Sequence, residues 1–157
     1  MKLLDKEAGK YRTANIEEVS EKDYSNIAKD KGFSFNWNTE KKYEVYKIFL
    51  IEKEDIILGL LSLIDIPHEY RIHLNLLEIR LEHQGKDKQI DLIAGCLIAF
   101  AAETALKRGY YGFVSLMPKT KLIDLYQDKY GFRQYGRFLG IEGQASQKLI
   151  EKYLDDE

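Results

Sequence analysis

The stretch LEIRLEHQGKDKQIDLIAGCLIAFAAETALKRG, residues 77–109, decides the reading of the whole chain. Its first positions alternate apolar and charged residues, as a strand does. A short charged turn with a single glycine follows. From Ile90 to Leu106 nearly every residue is then apolar or small, with Asp91, Glu103 and Thr104 as exceptions. As a helix this segment is about 25 Å long at 1.5 Å per residue, and a helix apolar nearly all round is buried on more than one side. The next stretch, RGYYGFVSLMP (residues 108–118), reads as a short strand, with Gly109 closing the helix and Pro118 closing the strand. A strand, a crossover helix and a second strand imply a locally parallel pair. The turn before the helix has two readings. Unpaired N–H groups and the positive end of the helix dipole suit a phosphate, with Gly85 permitting close approach and Lys86 and Lys88 adding charge. The same turn also reads as a plain connection with solvated lysines.

Working outward, YEVYKIFLIEK (residues 43–53) and EDIILGLLSLIDI (54–66) alternate with β-branched and aromatic residues around a charged turn at Lys53 and Glu54, which reads as a hairpin. HEYRIHLNLLEIRLE (68–82) gives a third antiparallel strand after the break at Pro67 and His68. Upstream, NIEEVSEKDYSNIAKDKG (15–32) places Ile16, Val19, Tyr24 and Ile27 at helical spacing, with Gly32 as the stop. FSFNWN (33–38) sets Phe33, Phe35 and Trp37 at period two, as in a strand or an extended loop packed on the core. Downstream, KTKLIDLYQDKYG (119–131) is a second amphipathic helix ending at Gly131, FRQYGRFLGIEG (132–143) a final strand pair, and QASQKLIEKYL (144–154) a terminal helix with Leu149, Ile150 and Tyr153 on one face. The expected order is α, β, β, β, α, β, α, β, α: one mixed α/β domain over residues 1–157, with helices on the faces of the sheet.

The bulk numbers fit that picture and exclude others. A chain of 157 residues supports one domain with a real core, and a formal charge of −2 gives no electrostatic reason to expect nucleic acid as the main partner. The longest apolar stretch, Leu92 to Ala102, is about half of the roughly 20 residues a membrane span requires. With no leader-like apolar run at the N-terminus and a single cysteine, Cys96, the expected compartment is the cytoplasm and no membrane association is expected. His68, His73, His83 and Cys96 show no metal-ligand spacing, so no metal is expected. Cys96 falls mid-helix, where a buried thiol is the default.

The strand, the turn QGKDKQ, the apolar helix, the strand ending in LMP and the segment LIDLYQDKYGF together resemble the GNAT-type acetyltransferases, over roughly Tyr43 to Gly136. That family's signature before its central helix is Gln or Arg, two residues, Gly, one residue, then Gly or Ala. Gln84, Gly85 and Lys86 match a common form of its start, while Asp87 and Gln89 stand where the signature has small residues. Tyr126 and the pair Gly131–Phe132 match the family's second motif. The resemblance implies a GNAT-like fold in which the strands matched by LLEIRLE and GFVSLMP splay apart to admit a pantetheine arm. It implies acetyl-CoA as cosubstrate, held at Gln84, Gly85, Lys86, Asp87, Lys88 and Gln89. It also implies transfer of the acetyl group to a primary amine of a small molecule or peptide by direct attack. Family members often dimerise through their C-terminal strands, which leaves a homodimer open.

For the chemistry, the resemblance makes Tyr126 the acid that reprotonates the departing thiolate, a task suited to a phenol. The residues alone equally allow a core tyrosine on an apolar helix face. Glu78 stands among Leu76, Leu77 and Ile79 and is the candidate base, although Glu78, Arg80 and Glu82 also read as one solvated face of a strand. The bulk that Asp87 and Gln89 add to the turn supports a second reading: a catalytically inactive GNAT-fold protein that binds coenzyme A derivatives or a protein partner.

Overall fold

A computed structural model of the chain describes residues 1–118 and 122–155. Strands β1 (Lys2–Asp5) and β2 (Lys10–Glu18) come first, then helix α1 (Glu21–Lys29), followed by β3 (Glu44–Leu50), β4 (Gly59–Ile66) and β5 (Arg71–Ile79). A two-residue strand β6 (Ile90–Asp91) leads into the long helix α2 (Ile93–Lys107). Then come β7 (Val114–Leu116), α3 (Ile123–Tyr130), β8 (Arg133–Tyr135), β9 (Phe138–Ile141) and α4 (Gly143–Tyr153). Among the described residues the strands form one sheet in the order β6-β1-β2-β3-β4-β5-β7-β9-β8. Its one parallel pair is β5 with β7, the pair that α2 connects.

Two cores lie on opposite faces of this sheet. On the back, α2, α3 and α4 pack against Ile48, Leu61, Leu63, Ile72, Leu74, Val114 and Ile141. Cys96, Leu97, Ala99, Ala101 and Ala102 of α2 have essentially no exposure, so the nearly all-apolar composition of that helix is explained by sheet on one side and α4 on the other. Arg108, just past the end of α2, is fixed by both guanidinium nitrogens to Glu44 on β3 (2.8 and 2.6 Å) and reaches Asp65 on β4 (3.2 Å). On the front, α1 and a 3-10 turn at Trp37–Glu40 bury Tyr24, Ile27, Phe33 and Trp37 against Val45, Leu60 and Leu76.

Three expectations need correction. The N-terminal segment is a β-hairpin, with Leu4↔Tyr11 among its pairs. Ile16 therefore lies in β2 rather than in a helix, and Val19 precedes α1. The first helix starts where Ser20 and Asp23 form a reciprocal capping box, five residues later than the apolar spacing implied. The central helix starts at Ile93, because Ile90 and Asp91 are drawn into pairing with Asp5 and Leu4 of β1. The connection after β3 is longer than a tight turn: β4 begins only at Gly59, and Ile57 and Leu58 are buried within the loop. Of the second amphipathic helix, residues 119–121 lie outside the described residues, and the helix runs from Ile123 to Tyr130.

One irregularity positions everything that follows. In the β4–β5 ladder Leu63 pairs with Leu74 but Ser62 pairs with Leu76, so Asn75 is an extra residue in β5. Side chains alternate across a strand, and one inserted residue exchanges the faces of all that follow. Ile72 and Leu74 thus point to the back core, as do Leu77 and Ile79, whereas Leu76 joins the front core and Glu78 meets the front loop.

Gly95 tests the packing of α2 on α4. A Cβ there would overlap the ring of Tyr153. Overpacking of this kind costs about 1–3 kcal/mol, against a gain of about 1 kcal/mol from replacing helical glycine. Gly95→Ala is expected to lower the melting temperature by a few degrees in thermal unfolding. An equal or higher value would show that Tyr153 swings aside freely.

Candidate functional site

The last paired residues of β5 and β7 are Leu74 and Leu116, and β5 continues five residues further without that partner. The strands part there, and a cleft of about 600 Å³ opens beside the unpaired half of β5. Its walls include Leu77 and Ile79 of β5, residues 90–95 at the start of α2, Leu125, Lys129 and Tyr130 of α3, and Tyr153 of α4.

The floor is the N-terminus of α2. The first intrahelical donor is Cys96, which bonds to the carbonyl of Leu92, and no side chain among the described residues caps the helix. The N–H groups of Ile93, Ala94 and Gly95 therefore face the cleft without a helical acceptor. Leu92 adopts a left-handed conformation, φ 77°, which for a leucine costs on the order of 1–2 kcal/mol. It turns the chain from β6 into the helix within one residue. Asp91 accepts a hydrogen bond from the Leu92 N–H (2.7 Å) and pairs with Lys88 (3.4 Å). Burial works against ionisation of Asp91, but the Leu92 N–H and Lys88 outweigh it and hold the carboxyl below its ordinary range. Lys88 and Lys129 bring positive charge to the same cleft.

The residues expected to hold a cofactor separate into two groups. Gln84, Gly85 and Lys88 line the cleft, whereas Lys86, Asp87 and Gln89 are not among its lining residues. The turn is detached from the helix by β6. The spacing of the signature, Gln, two residues, Gly, one residue, Gly or Ala, also falls on Gln89, Leu92 and Ala94, five residues later. There the residue in the glycine position is the one with positive φ. This second register was present in the sequence, hidden because leucine stands in a glycine position.

Glu78 is 5% exposed and lies over the front loop. Its Oε2 accepts from the Ser34 N–H (2.6 Å) and hydroxyl (3.0 Å), and its Oε1 from the Phe35 N–H (3.3 Å) and the Trp37 indole N–H (2.8 Å). A carboxylate has about four acceptor positions, and here all four are taken. Tyr126 is half-buried, its ring 5.5 Å from Phe132 and 6.1 Å from Tyr130, and burial raises its phenol pKa. It is not among the cleft-lining residues, whereas Tyr130, one turn further along α3, is. Cys96 is buried and its thiol is pushed up to about 12 by desolvation, so it stays protonated and unreactive. His83, passed over in the sequence, lines the cleft and accepts the Ile90 N–H on Nδ1 (3.2 Å), with burial lowering its pKa. Among the described residues no group of three His, Cys, Asp or Glu is placed to hold a metal, and no helix is long and apolar enough to cross a membrane.

Neither a protein-family model nor a curated protein matches the sequence. Solved structures do match in three dimensions. A crystal structure of AtaTR bound with AcCoA superposes with a TM-score of 0.60 at 17% identity, covering 87% of this chain and 98% of that one. The spermidine/spermine N-acetyltransferase SpeG from Vibrio cholerae gives 0.60 at 15% identity, covering 87% and 98%. An acetyltransferase of GNAT family from Staphylococcus aureus Mu50 gives 0.58 at 15%, covering 83% and 99%. The chain has the GNAT acetyltransferase fold. Within the GNAT fold, the parted strands correspond to the gap where the sequence resemblance implied the pantetheine arm, whereas it implied the phosphates on the turn Gln84–Gln89, ahead of β6 and α2.

The Glu78 clamp generates a prediction of its own. In Glu78→Gln one carboxylate oxygen becomes an amide that donates toward groups that are themselves donors. The expected loss is about 2–4 kcal/mol, a fall of roughly 5–15 °C in melting temperature. Trp37 is the only tryptophan, so a red shift of native fluorescence should accompany the loss. Unchanged emission would show that the loop holds without the carboxylate.

Proposed function

We propose that this protein transfers an acetyl group from acetyl-CoA to a primary amine by direct attack. The observation that carries the reading is the opening between β5 and β7 onto a cleft floored by the amides of Ile93, Ala94 and Gly95, which have no acceptor among the described residues. The residues there fit a phosphorylated thioester. Lys88 and Lys129 supply positive charge. Asp91 opposes an anion, but its carboxylate is already paired with Lys88 and the Leu92 N–H.

Acetyl-CoA bound in the cleft would supply an activated acyl carbon. The amides of Ile93–Gly95 with Lys88 would hold its diphosphate, and Gln84 and Gly85 would flank it. The apolar edge formed by Leu77 and Ile79 would exclude water from the thioester arm. Tyr126 remains the proposed proton donor, since burial keeps its phenol protonated through neutral pH, the state a donor needs. Glu78, with its acceptor positions filled, would act as a positioning residue that fixes Ser34 and Phe35 on the cleft wall rather than as a base. The acceptor class stays open at this level. SpeG is a spermidine/spermine N-acetyltransferase, and AtaT has been solved complexed with acetyl-methionyl-tRNAfMet.

Thermal unfolding with acetyl-CoA, coenzyme A and ATP tests the reading. Ligand at about 100 times its dissociation constant adds roughly 2.7 kcal/mol, a rise of about 5–10 °C for a chain of this size. A rise with both coenzyme A species and none with ATP is expected, and no shift at millimolar acetyl-CoA would overturn it. Lys88→Glu should weaken that binding, the more so at low salt. Tyr126→Phe should retain it while turnover falls by on the order of 10²-fold or more, and full activity would remove Tyr126 from the chemistry.

A further inference from the structure

The front of the sheet is covered by α1 and the Ser34–Glu40 loop up to Asn75, and beyond that point β5 and β7 present a polar row. Arg71 Nη1 donates to Ser115 Oγ (2.6 Å), and Ser115 Oγ lies 2.9 Å from His73 Nδ1. A guanidinium only donates, so Ser115 accepts from it, and the serine proton is free to go to His73. Nη1 also lies 3.4 Å from Nδ1, which places a second donor against that nitrogen and makes it the unprotonated one. Burial, with help from Arg71, lowers the His73 pKa, so the ring is neutral at pH 7 with its proton on Nε2. Phe138 collects these groups: its ring centroid lies 5.8 Å from that of His73, 5.2 Å from the Arg71 guanidinium and 5.6 Å from that of Arg137. Glu69 pairs with Arg71 through Nε (2.7 Å), while Arg137 has no ion-pair partner among the described residues. This end of the row offers donors and positive charge.

The other end has the opposite character. Glu40 is 8% exposed, accepts one good hydrogen bond from Asn75 Nδ2 (2.6 Å), and has only a long one (3.4 Å) from its neighbour Thr39 on its second oxygen. A nearly buried carboxylate with acceptor positions unfilled is costly unless a cation or further donors complete it. Asn75 is the bulge residue, next to the point where β5 and β7 part. Two residues along a strand separate Asn75 from His73, about 7 Å.

We propose that the acceptor is an amine that also carries an anionic group, carboxylate or phosphate, roughly 6–10 Å away. Its ammonium end is met by Glu40 beside Asn75, and its anion by Arg71, Arg137 and His73 Nε2–H. This deepens the acetyl-transfer reading and rests on it. A polyamine would instead place a second positive charge against two arginines.

The test compares 6-aminohexanoate and 3-aminopropyl phosphate with 1,6-diaminohexane as acceptors at saturating acetyl-CoA, alongside NMR of the His73 ring titrated with acetate and inorganic phosphate. The anion-bearing amines should exceed the diamine by about tenfold or more in kcat/KM, with the better of the two deciding between carboxylate and phosphate. Arg137→Gln, an exposed change, should erase most of that advantage through KM, lowering kcat/KM for the anion-bearing amines and raising it for the diamine, whose second charge it no longer repels. The anions should shift the His73 Nε2 signal saturably in the wild type and more weakly in the variant. A diamine as good as the others, or acetyl-CoA binding with no anion effect on His73, overturns the acceptor assignment alone. Failure to bind acetyl-CoA overturns the acetyl-transfer reading and the assignment together.

Discussion

The interaction on which the site depends is a single carboxylate filled by four donors. Glu78 gathers two backbone amides, a hydroxyl and an indole N–H from a loop that has no regular structure until Trp37. Each of those groups would otherwise need water or another partner, and the buried charge would need them equally. The clamp makes the front loop part of β5. It lets Trp37 and Phe33 close the smaller core, and it sets Phe35 at the mouth of the cleft. Arg80, two residues on, extends the same logic. It donates to the carbonyl of Ile57 and to Asp30, whose carboxyl the guanidinium holds below its ordinary range.

The larger core does a different job. Helix α2 is held by apolar burial along its length and by Arg108 at its far end, while its first turn has neither a cap nor close helical partners for its amides. Stability is concentrated away from the cleft, and the unsatisfied groups are left beside it. The left-handed Leu92 belongs to the same pattern, since backbone strain of this kind survives only where surrounding packing enforces it.

Much of this was legible in the residues. The β5–α2–β7 crossover followed from an apolar helix between two strand-like runs, and α4 from Leu149, Ile150 and Tyr153, all of which are buried. The hairpin of β1 and β2 was not legible. It buries little more than Leu3 and Ala14, so its period-two signal is faint beneath KYRTANIEE. The bulge did leave a trace that went unread: Ile72, Leu74 and Leu76 alternate in one phase, and Leu77, Ile79 and Leu81 in the other. Glu40 and His73 had no local signature: they stand 33 positions apart, and the hydrogen bond from Asn75 brings Glu40 to β5 two residues from His73. Gly85 in the charged turn is left-handed as its glycine suggested, whereas the second left-handed corner, at the start of α2, falls on Leu92, where a leucine gives no such signal.

The phase change at Asn75 also says what kind of variation this strand tolerates. Exchange of one aliphatic residue for another along β5 alters volume by a methyl group or two. Loss or gain of one residue between Leu74 and Glu78 swaps the partners of both cores at once, sending the carboxylate toward α2 and an apolar side chain toward the loop. The quantity under constraint in β5 is therefore its count of residues more than their identity. Descendants of this chain are free to drift in composition here, but not to slip by one.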